Sequence, residues 1–350
     1  MQRAQHMRTD YIDIMGDNEM TLTPKENYLR TMEGELPEYI PAPYIEPWSA
    51  PLPDELLTPN NCPNGPITTV YGVTYVGSAD LLNGAMPKPG EILLDDITKW
   101  RDVIKNPDLT GRDWEGYYNS LTKNVDRSKL AVKTVGGDYF LTLVSFMGFE
   151  GALIAMHEEP EEVYALFEYV SEFYLEVMRK QIQYAKPEVY TIMDDDAAKL
   201  APFFSLDMYR RLVKPFHKKH ADLALENGIY LDRHDCGHCE IFIDDWLEMG
   251  IKSWNPAQVC NDLVGIKKKY GDKLIIAGAW DTTGPIGRQD VDPETLRAAL
   301  YEYVDTFAPG GGFNYCANIQ RQPSEELYKE KMDIVRDVYY NYARDYYKTH

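Results

Sequence analysis

The chain has 350 residues, 44% of them apolar and 26% charged, a balance typical of globular proteins that excludes disordered, collagen-like and coiled-coil sequences. Its 56 acidic and 36 basic residues give a net charge of −20, which repels phosphate backbones, so we expect no nucleic-acid partner. No stretch reaches the roughly 18 uninterrupted apolar residues of a membrane span, and residues 1–17 lack the apolar core of a signal peptide, so we expect a soluble, cytoplasmic protein without a membrane partner.

The N-terminal part of the chain predicts little regular structure. Residues 1–20 are polar and mixed in charge, so we expect a flexible arm, followed by a single domain over residues 21–350. Thr23-Pro24-Lys25-Glu26 is typical of a helix start, with a hydroxyl cap, proline at the first helical position and an acid in the first turn. Residues 37–66 are rich in proline and aromatic residues, which predicts a packed segment without regular secondary structure, an irregular wall of the domain.

From about residue 130 the chain alternates short apolar runs with amphipathic helices. The predicted strands are 140–146, 189–193, 229–232, 252–255, 274–279 and 313–317. The predicted helices are 161–184, 207–227, 240–249, 261–270, 293–307 and 324–347. This alternation predicts a parallel sheet covered by helices, and polar clusters after the strands favour a closed (β/α)8 TIM barrel with an irregular N-terminal segment. In such a barrel, the chemistry lies at the C-terminal ends of the strands.

Two strand ends carry residue types that bind zinc. His234 and Cys236 are separated by one residue, so on an extended chain their side chains point to the same side. Cys316 follows a different predicted strand. One imidazole and two thiolates form a zinc ligand set that leaves the fourth position open, as catalytic zinc sites do. The sequence therefore predicts a catalytic zinc site at these three residues.

The stretch Cys236-Gly237-His238-Cys239 leaves two alternatives open. It is a C-x-x-C motif, although disulfide oxidoreductases carry theirs at a helix N-terminus of a small thioredoxin-like fold. Cys239 or His238 could also complete the zinc site as a fourth ligand and make it structural. With five cysteines in 350 residues, a disulfide scaffold is not expected.

Three consecutive acids, Asp194, Asp195 and Asp196, follow another predicted strand. Carboxylates at a barrel strand end are candidate metal ligands, general bases or electrostatic partners, and we take these three as the candidate catalytic residues. The alternative is a solvated loop with one helix cap. Asp232 and Asp281 are similar candidates, and Gly310-Gly311-Gly312 predicts a turn whose backbone can approach a ligand closely. No Gly-rich nucleotide-binding motif is present.

Several motifs resemble the uroporphyrinogen decarboxylase superfamily over residues 22–345. They are Thr23-Pro24-Lys25-Glu26, Ile40-Pro41, His234-Asp235-Cys236-Gly237, Asp244-Asp245-Trp246, Gly250, Asn255-Pro256, Tyr270-Gly271-Asp272-Lys273 and Ala308-Pro309-Gly310-Gly311-Gly312. The resemblance implies a distorted TIM barrel. It also implies one of two chemistries, a metal-free decarboxylation or a zinc-dependent methyl transfer linked to a corrinoid.

The decarboxylase of the superfamily holds a tetrapyrrole with many carboxylates through an Arg-rich N-terminal segment. This chain has no arginine between Arg30 and Arg101, which leaves such carboxylates unpaired. The methyltransferase branch carries a His-x-Cys…Cys zinc motif, and His234, Cys236 and Cys316 match it residue by residue. The resemblance therefore favours the methyltransferase branch.

The resulting hypothesis is a Zn²⁺-dependent methyltransferase that moves a methyl group between a small methylated substrate, such as a methoxylated aromatic, and the cobalt of a corrinoid (cobalamin). As the resemblance implies, a separate corrinoid protein carries that cofactor. Three alternatives stay open: a methyl-corrinoid:thiol methyltransferase of the coenzyme M type, a decarboxylase, and a non-catalytic tetrapyrrole or corrinoid binder with structural zinc. The sequence identifies no residues that bind the corrinoid.

Overall fold

The computed structural model describes residues 21–350 except 43–45, 54, 60, 63, 79–83 and 322–323. The predicted arm, residues 1–20, lies outside the described residues, as do parts of the predicted wall. That residues 21–350 form a single domain stays a prediction.

The described residues contain ten β-strands. They are β1 (Trp48–Ser49), β2 (Ile67–Thr68), β3 (Thr74–Ser78), β4 (Gly84–Pro87), β5 (Val132–Gly136), β6 (Val189–Met193), β7 (Tyr230–His234), β8 (Ile251–Ala257), β9 (Ile275–Gly278) and β10 (Phe313–Tyr315).

They also contain twelve α-helices. These are α1 (Pro24–Met32), α2 (Trp100–Val103), α3 (Trp114–Thr122), α4 (Tyr139–Glu158), α5 (Pro160–Lys180), α6 (Leu206–Met208), α7 (Lys214–Glu226), α8 (Ile243–Glu248), α9 (Leu263–Tyr270), α10 (Pro293–Phe307), α11 (Glu325–Val338) and α12 (Tyr346–Thr349). Single π-helical turns follow α5, α6 and α11, at Gln181–Ala185, Tyr209–Val213 and Tyr339–Ala343. Short 3₁₀ turns lie at Ile97–Lys99, Glu240–Phe242, Gly271–Lys273 and Pro285–Gly287.

The chain divides into two compact units. Within the part of the chain that the structure describes, the first unit comprises residues 21–48, Val125–Val132 and Ile251–His350, and the second comprises Ser49–Asn124 and Lys133–Gly250.

In the second unit, β5 from Lys133 onward, β6 and β7 pair in parallel. Gly136 lies opposite Ile192, and Met193 lies opposite His234. Because the strands are parallel, their carboxyl ends meet at one edge of the sheet, and the residues that follow β6 and β7 are neighbours there. A small antiparallel sheet of β2, β3 and β4 also belongs to this unit.

In the first unit, β8, β9 and β10 pair in parallel, with Ser253 opposite Ile275 and Ile276 opposite Phe313. The backbone N–H of Tyr315 donates to the carbonyl of Pro41 over 2.8 Å, which holds the Ile40-Pro41 segment beside β10. The predicted start of α1 is confirmed. The Thr23 hydroxyl accepts from the Glu26 N–H, and the Glu26 carboxylate accepts from the Thr23 N–H.

The predicted strand over residues 140–146 is wrong, because this segment forms the first half of α4. The run is buried on nearly every side, so it has no polar face, and periodicity cannot distinguish such a helix from a buried strand. By length and hydropathy α4 could cross a membrane, but 56% of its apolar window is buried in the protein, and it is a core helix. Helix α5 confirms its predicted amphipathic face, on which Val163, Phe167 and Val170 are fully buried.

Candidate functional site at the ends of strands β6 and β7

The ends of β6 and β7 lie side by side in the second unit. The N–H of Asp194 donates to the carbonyl of His234 over 3.1 Å, which extends the strand pairing by one residue. This pairing brings the predicted acids and the predicted His-x-Cys pair to one edge of the sheet. The structure then assigns the three acids to three different environments.

Asp194 is buried and caps helix α4. Its two carboxylate oxygens accept hydrogen bonds from the N–H groups of Phe140 and Leu141, each at 2.9 Å. These are among the first N–H groups of the helix, which have no partner within it. The imidazole of His217 lies 3.3 Å away, and burial lowers the pKa of that imidazole well below its usual value. Asp194 therefore fixes the start of α4 relative to the end of β6.

Asp196 belongs to a buried ion cluster. Its carboxylate and that of Asp235 flank the guanidinium of Arg233 at 2.6 and 2.5 Å, and all three side chains are fully buried. Burial and the neighbouring Asp235 raise the pKa of Asp196 well above its usual value. The N–H of Asp196 also donates to Asp235 over 2.9 Å. Because Arg233 is enclosed by these acids, the cluster holds the two strand ends together and offers no guanidinium to a ligand.

Asp195 is the partly exposed member of the three, with 34% of its side chain accessible. Its Oδ1 accepts from the N–H of Cys236 at 2.9 Å and lies 3.9 Å from Nε2 of His234. The Sγ of Cys236 lies 3.9 Å from the same nitrogen. The ligand atoms of Asp195, His234 and Cys236 all lie within 4.8 Å of one another, and no other such group occurs among the described residues. We call these three residues the donor group.

The donor group suits a metal ion by both chemistry and spacing. Imidazole nitrogen, thiolate sulfur and carboxylate oxygen are the three ligand types that bind zinc in proteins. A tetrahedral zinc with Zn–N of ~2.1 Å and Zn–S of ~2.3 Å sets those two donors ~3.6 Å apart, close to the separation in the structure. Partial exposure of His234 and Asp195, at 33% and 34%, leaves the group accessible to a substrate.

Cys316, the predicted third zinc ligand, follows β10 in the first unit. Its N–H donates to the hydroxyl of Tyr303 at 3.0 Å, and that hydroxyl donates to the carbonyl of Gly278 at 2.6 Å. Burial raises the pKa of Tyr303 well above its usual value, so its phenol stays protonated and holds the backbone at Cys316. That Cys316 shares a metal with His234 and Cys236 stays a prediction.

Cys239 and His238 are not in the donor group. Cys239 is fully buried, and its thiol donates to the carbonyl of Cys236 at 3.0 Å. Burial raises the pKa of this thiol far above its usual value, which suppresses the thiolate that disulfide exchange requires. Gly237 has φ 89°, and a Cβ there would come within 2.4 Å of the carbonyl oxygen of Ala197. This turn separates the two cysteines.

The remaining candidate residues from the sequence make hydrogen bonds or ion pairs within the fold. Asp232 is buried and accepts from the Thr191 hydroxyl at 2.8 Å, with the ammonium of Lys133 at 3.3 Å. Asp281 accepts from the N–H of Gly284 at 2.8 Å within its own turn. The glycine turn predicted at residues 310–312 has positive φ at all three positions, and the carbonyl of Gly311 accepts from the Lys267 ammonium.

A cavity of about 290 Å³ opens beside the donor group. It is lined by Phe140, Leu141, Val144, Phe149, Asp195, Ala197, Phe203 and Cys236. The rings of Phe149 and Phe203 meet edge to face at 4.9 Å, and Phe140 lies 5.7 Å from Phe203. Sequence reasoning did not identify these three phenylalanines as site residues.

Gly148 places Phe149 at this cavity. It lies within α4 but has φ 72° and ψ 163°, a conformation essentially restricted to glycine. The helix is therefore broken at residue 148 and starts again with Phe149, whose ring is half exposed. A glycine within an otherwise apolar run was the one signal in the sequence for this break.

The fold and the strand-end site define an α/β protein of the TIM-barrel class, which confirms the predicted fold class. The family model for uroporphyrinogen decarboxylase (URO-D) matches residues 135–319, more than half of the chain, and the chain belongs to this family. The structure is also similar to a methyltransferase from Methanosarcina mazei, with a TM-score of 0.59 and 12% sequence identity over 91% of this chain and 99% of that one. At this identity the similarity concerns the fold. A comparison with curated proteins gave no significant match.

Proposed function

We propose that this protein is a zinc-dependent methyltransferase that moves a methyl group from a small methylated substrate to the cobalt of a corrinoid carried by a separate protein. The observation that carries the proposal is the donor group, Asp195, His234 and Cys236, at the ends of adjacent parallel strands and open to a cavity. A cytoplasmic location, expected from the sequence, is part of this proposal.

His234, Cys236 and Cys316 would hold the zinc, the last of them on the evidence of the His-x-Cys…Cys motif. When bound, zinc supplies Lewis-acid polarisation of a substrate oxygen or sulfur. The N–H of Cys236 fixes the Asp195 carboxylate beside His234 and at the wall of the cavity. The buried Arg233 cluster keeps the backbone of both strand ends in place, which positions the donors before any ligand arrives.

The reaction is a displacement at the methyl carbon. The methyl–oxygen bond of an ether substrate breaks heterolytically, and its electron pair stays on the oxygen. The corrinoid of the partner protein would be the methyl acceptor and would supply the electron pair of the new bond, and the other product would be an alkoxide or phenolate. The released oxygen then takes a proton from solvent. Because no group on the protein is consumed, its contribution is positioning and charge stabilisation.

Thiol methylation is the second candidate, because a zinc ion held by the same donor group would lower the pKa of a bound thiol. The decarboxylase alternative is not favoured. The sequence between Arg30 and Arg101 has no arginine, and Arg233, the arginine beside the site, is enclosed by Asp196 and Asp235. A non-catalytic binder with structural zinc would differ from the methyltransferase and from the decarboxylase, because it would show neither activity.

The test is metal analysis of the full-length protein combined with a methyl-transfer assay on free cob(I)alamin against methyl ethers, methylamines and thiols. We expect about one zinc per chain and formation of methylcobalamin with one substrate class. His234→Ala and Cys236→Ser should lose both zinc and activity. Cys260→Ser, at a half-buried cysteine outside the donor group, is the matched control and should keep both. A metal-free protein that decarboxylates uroporphyrinogen would contradict the proposal, and a zinc protein inactive with all substrates would favour the binder.

A further inference from the structure

We infer that the cavity beside Cys236 binds a neutral, single-ring aryl methyl ether, with Phe149 as a specificity-determining residue. This inference rests on the proposed function and names its substrate class. It is carried by the size of the cavity, by the rings that line it and by the charges at its wall.

The size of the cavity limits the substrate to one ring. An apolar cavity of ~150 Å³ is sufficient for benzene, and pockets for small ligands run from ~300 to ~1,000 Å³. At about 290 Å³, this cavity has room for a benzene ring with small substituents. It lies at the lower end of the range and does not suit a tetrapyrrole.

The lining favours an aromatic substrate. Phe140, Phe149 and Phe203 form a cluster in which the Phe149 and Phe203 planes meet at 77°. Aromatic rings at such angles present a negative face to a positive edge, and a further ring can join them with the same geometry. The rest of the wall adds Leu141, Val144 and Ala197, which offer aliphatic contact only.

The charge at the wall excludes an anionic substrate. Among the described residues that line the cavity, none is lysine, arginine or histidine, and Asp195 is the one carboxylate. A carboxylate on the ring, away from the donor group, would lose its hydration next to the phenylalanine rings, and no side chain of the lining supplies a cation there. Asp195 accepts a hydrogen bond from the Cys236 N–H and belongs to the donor group, so a metal ion bound there would offset its charge. The rest of the lining carries no charge that would select a cation. A neutral ring is therefore favoured.

The geometry connects the ring to the chemistry. Asp195 and Cys236 belong both to the donor group and to the cavity wall. A ring held among the phenylalanines therefore places an oxygen substituent beside the residues that would hold the metal. The cavity orients the methyl–oxygen bond, and the donor group activates it.

The experiment is isothermal titration calorimetry on the full-length protein with three probes of one size. These probes are a methoxyphenol, a methoxybenzoate and phenyltrimethylammonium. We expect the methoxyphenol to bind at least about tenfold more tightly than either charged probe. Phe149→Ala should weaken methoxyphenol binding about tenfold. Ile154→Ala is the matched control, because Ile154 lies on the same helix with 48% exposure against 46% for Phe149, and it should leave the affinity unchanged.

A gain-of-function variant keeps the inference testable if truncation disturbs folding. Val144→Arg places a cation in the wall and should shift the preference toward the methoxybenzoate. Equal or tighter binding of the methoxybenzoate by the natural protein, or no effect of Phe149→Ala, would overturn the inference. If the methoxyphenol binds as expected but no methyl reaches cob(I)alamin, the proposed function fails. If thiols or methylamines react while the methoxyphenol does not bind, the proposed function stands and the aryl ether inference fails.

Discussion

The backbone N–H of Cys236 donates a 2.9 Å hydrogen bond to Oδ1 of Asp195. This bond holds together two residues of the site that are far apart in the sequence. The bond joins the loop after β6 to the loop after β7. It also orients the carboxylate toward His234, 3.9 Å away. The position of one acid among three therefore depends on a backbone group of the predicted zinc-binding motif.

Removal of the Asp195 side chain should weaken metal binding. Asp195→Ala loses both the acceptor of the Cys236 N–H and the carboxylate beside His234, so we expect zinc affinity to fall by about 10–100-fold. Competition with a chromogenic chelator measures this change. Asp281→Ala removes an acid from a turn of the first unit and should have no effect on zinc affinity. Unchanged affinity in Asp195→Ala would show that Asp195 is not part of the metal site.

Removal of Arg233 should destabilise the fold strongly. Arg233→Met leaves the carboxylates of Asp196 and Asp235 buried without a counter-charge, and breaking such a cluster costs about 3–5 kcal/mol in the free energy of unfolding. Urea denaturation measures it. Arg211→Met removes the exposed ion pair with Glu161 and should cost less than about 1 kcal/mol. Similar losses in both variants would argue against a structural role for the buried cluster.

Substitution of Gly148 should cost stability through backbone strain. Gly148→Ala forces a Cβ into a conformation essentially limited to glycine, at a cost of about 1–3 kcal/mol. The new Cβ would also lie 3.1 Å from Cδ1 of Ile92. Gly151→Ala lies in the same helix without positive φ and should be neutral or slightly stabilising. Thermal unfolding of both variants checks this, and equal melting temperatures would contradict the break seen at residue 148.

Asp138 should make the stability of the protein fall as pH rises. Burial raises the pKa of its carboxyl to about 7, with a smaller contribution from Asp194. Between the unfolded pKa near ~4 and this value, the folded state retains a proton that the unfolded state has lost, so stability decreases by up to about 1.4 kcal/mol per pH unit. Asp138→Asn removes this dependence.

The measurement for Asp138 is the difference in unfolding free energy between the natural protein and Asp138→Asn from pH 4 to pH 8. The natural protein should lose stability relative to the variant as pH rises from about 4 to about 7, and the difference should then become constant. A difference that does not change with pH would mean that Asp138 ionises in the folded protein as it does in the unfolded chain. His220→Gln is the contrasting variant, at a buried histidine bonded to Tyr139 and Tyr190. Burial lowers the pKa of this imidazole to about 3, so the natural protein should gain stability relative to that variant as pH rises toward about 6.5, the opposite of the Asp138 effect.

Sequence reasoning succeeded where the signal is local. The capping residues Thr23 and Glu26 predicted the start of α1, and helical spacing predicted the buried face of α5. Strand β6 was predicted with its observed bounds, because a short β-rich run ends there in three acids. Strand β5 was not predicted, although its residues alternate between buried and partly buried. The first half of α4 was taken for a strand, because a run buried on nearly every side carries no periodic signal.

The sequence by itself determined the barrel class, the alternation of strands and helices, and the residue types that can bind zinc. Periodicity, helix caps and ligand chemistry depend on residues that are neighbours in the chain, so they can be recognised without the fold. Only the tertiary structure decided the roles of the three consecutive acids. Asp194 caps a helix, Asp196 pairs with Arg233, and Asp195 belongs to the donor group. Identical side chains in a row differ only in what the fold packs against each one, and those partners come from distant parts of the chain.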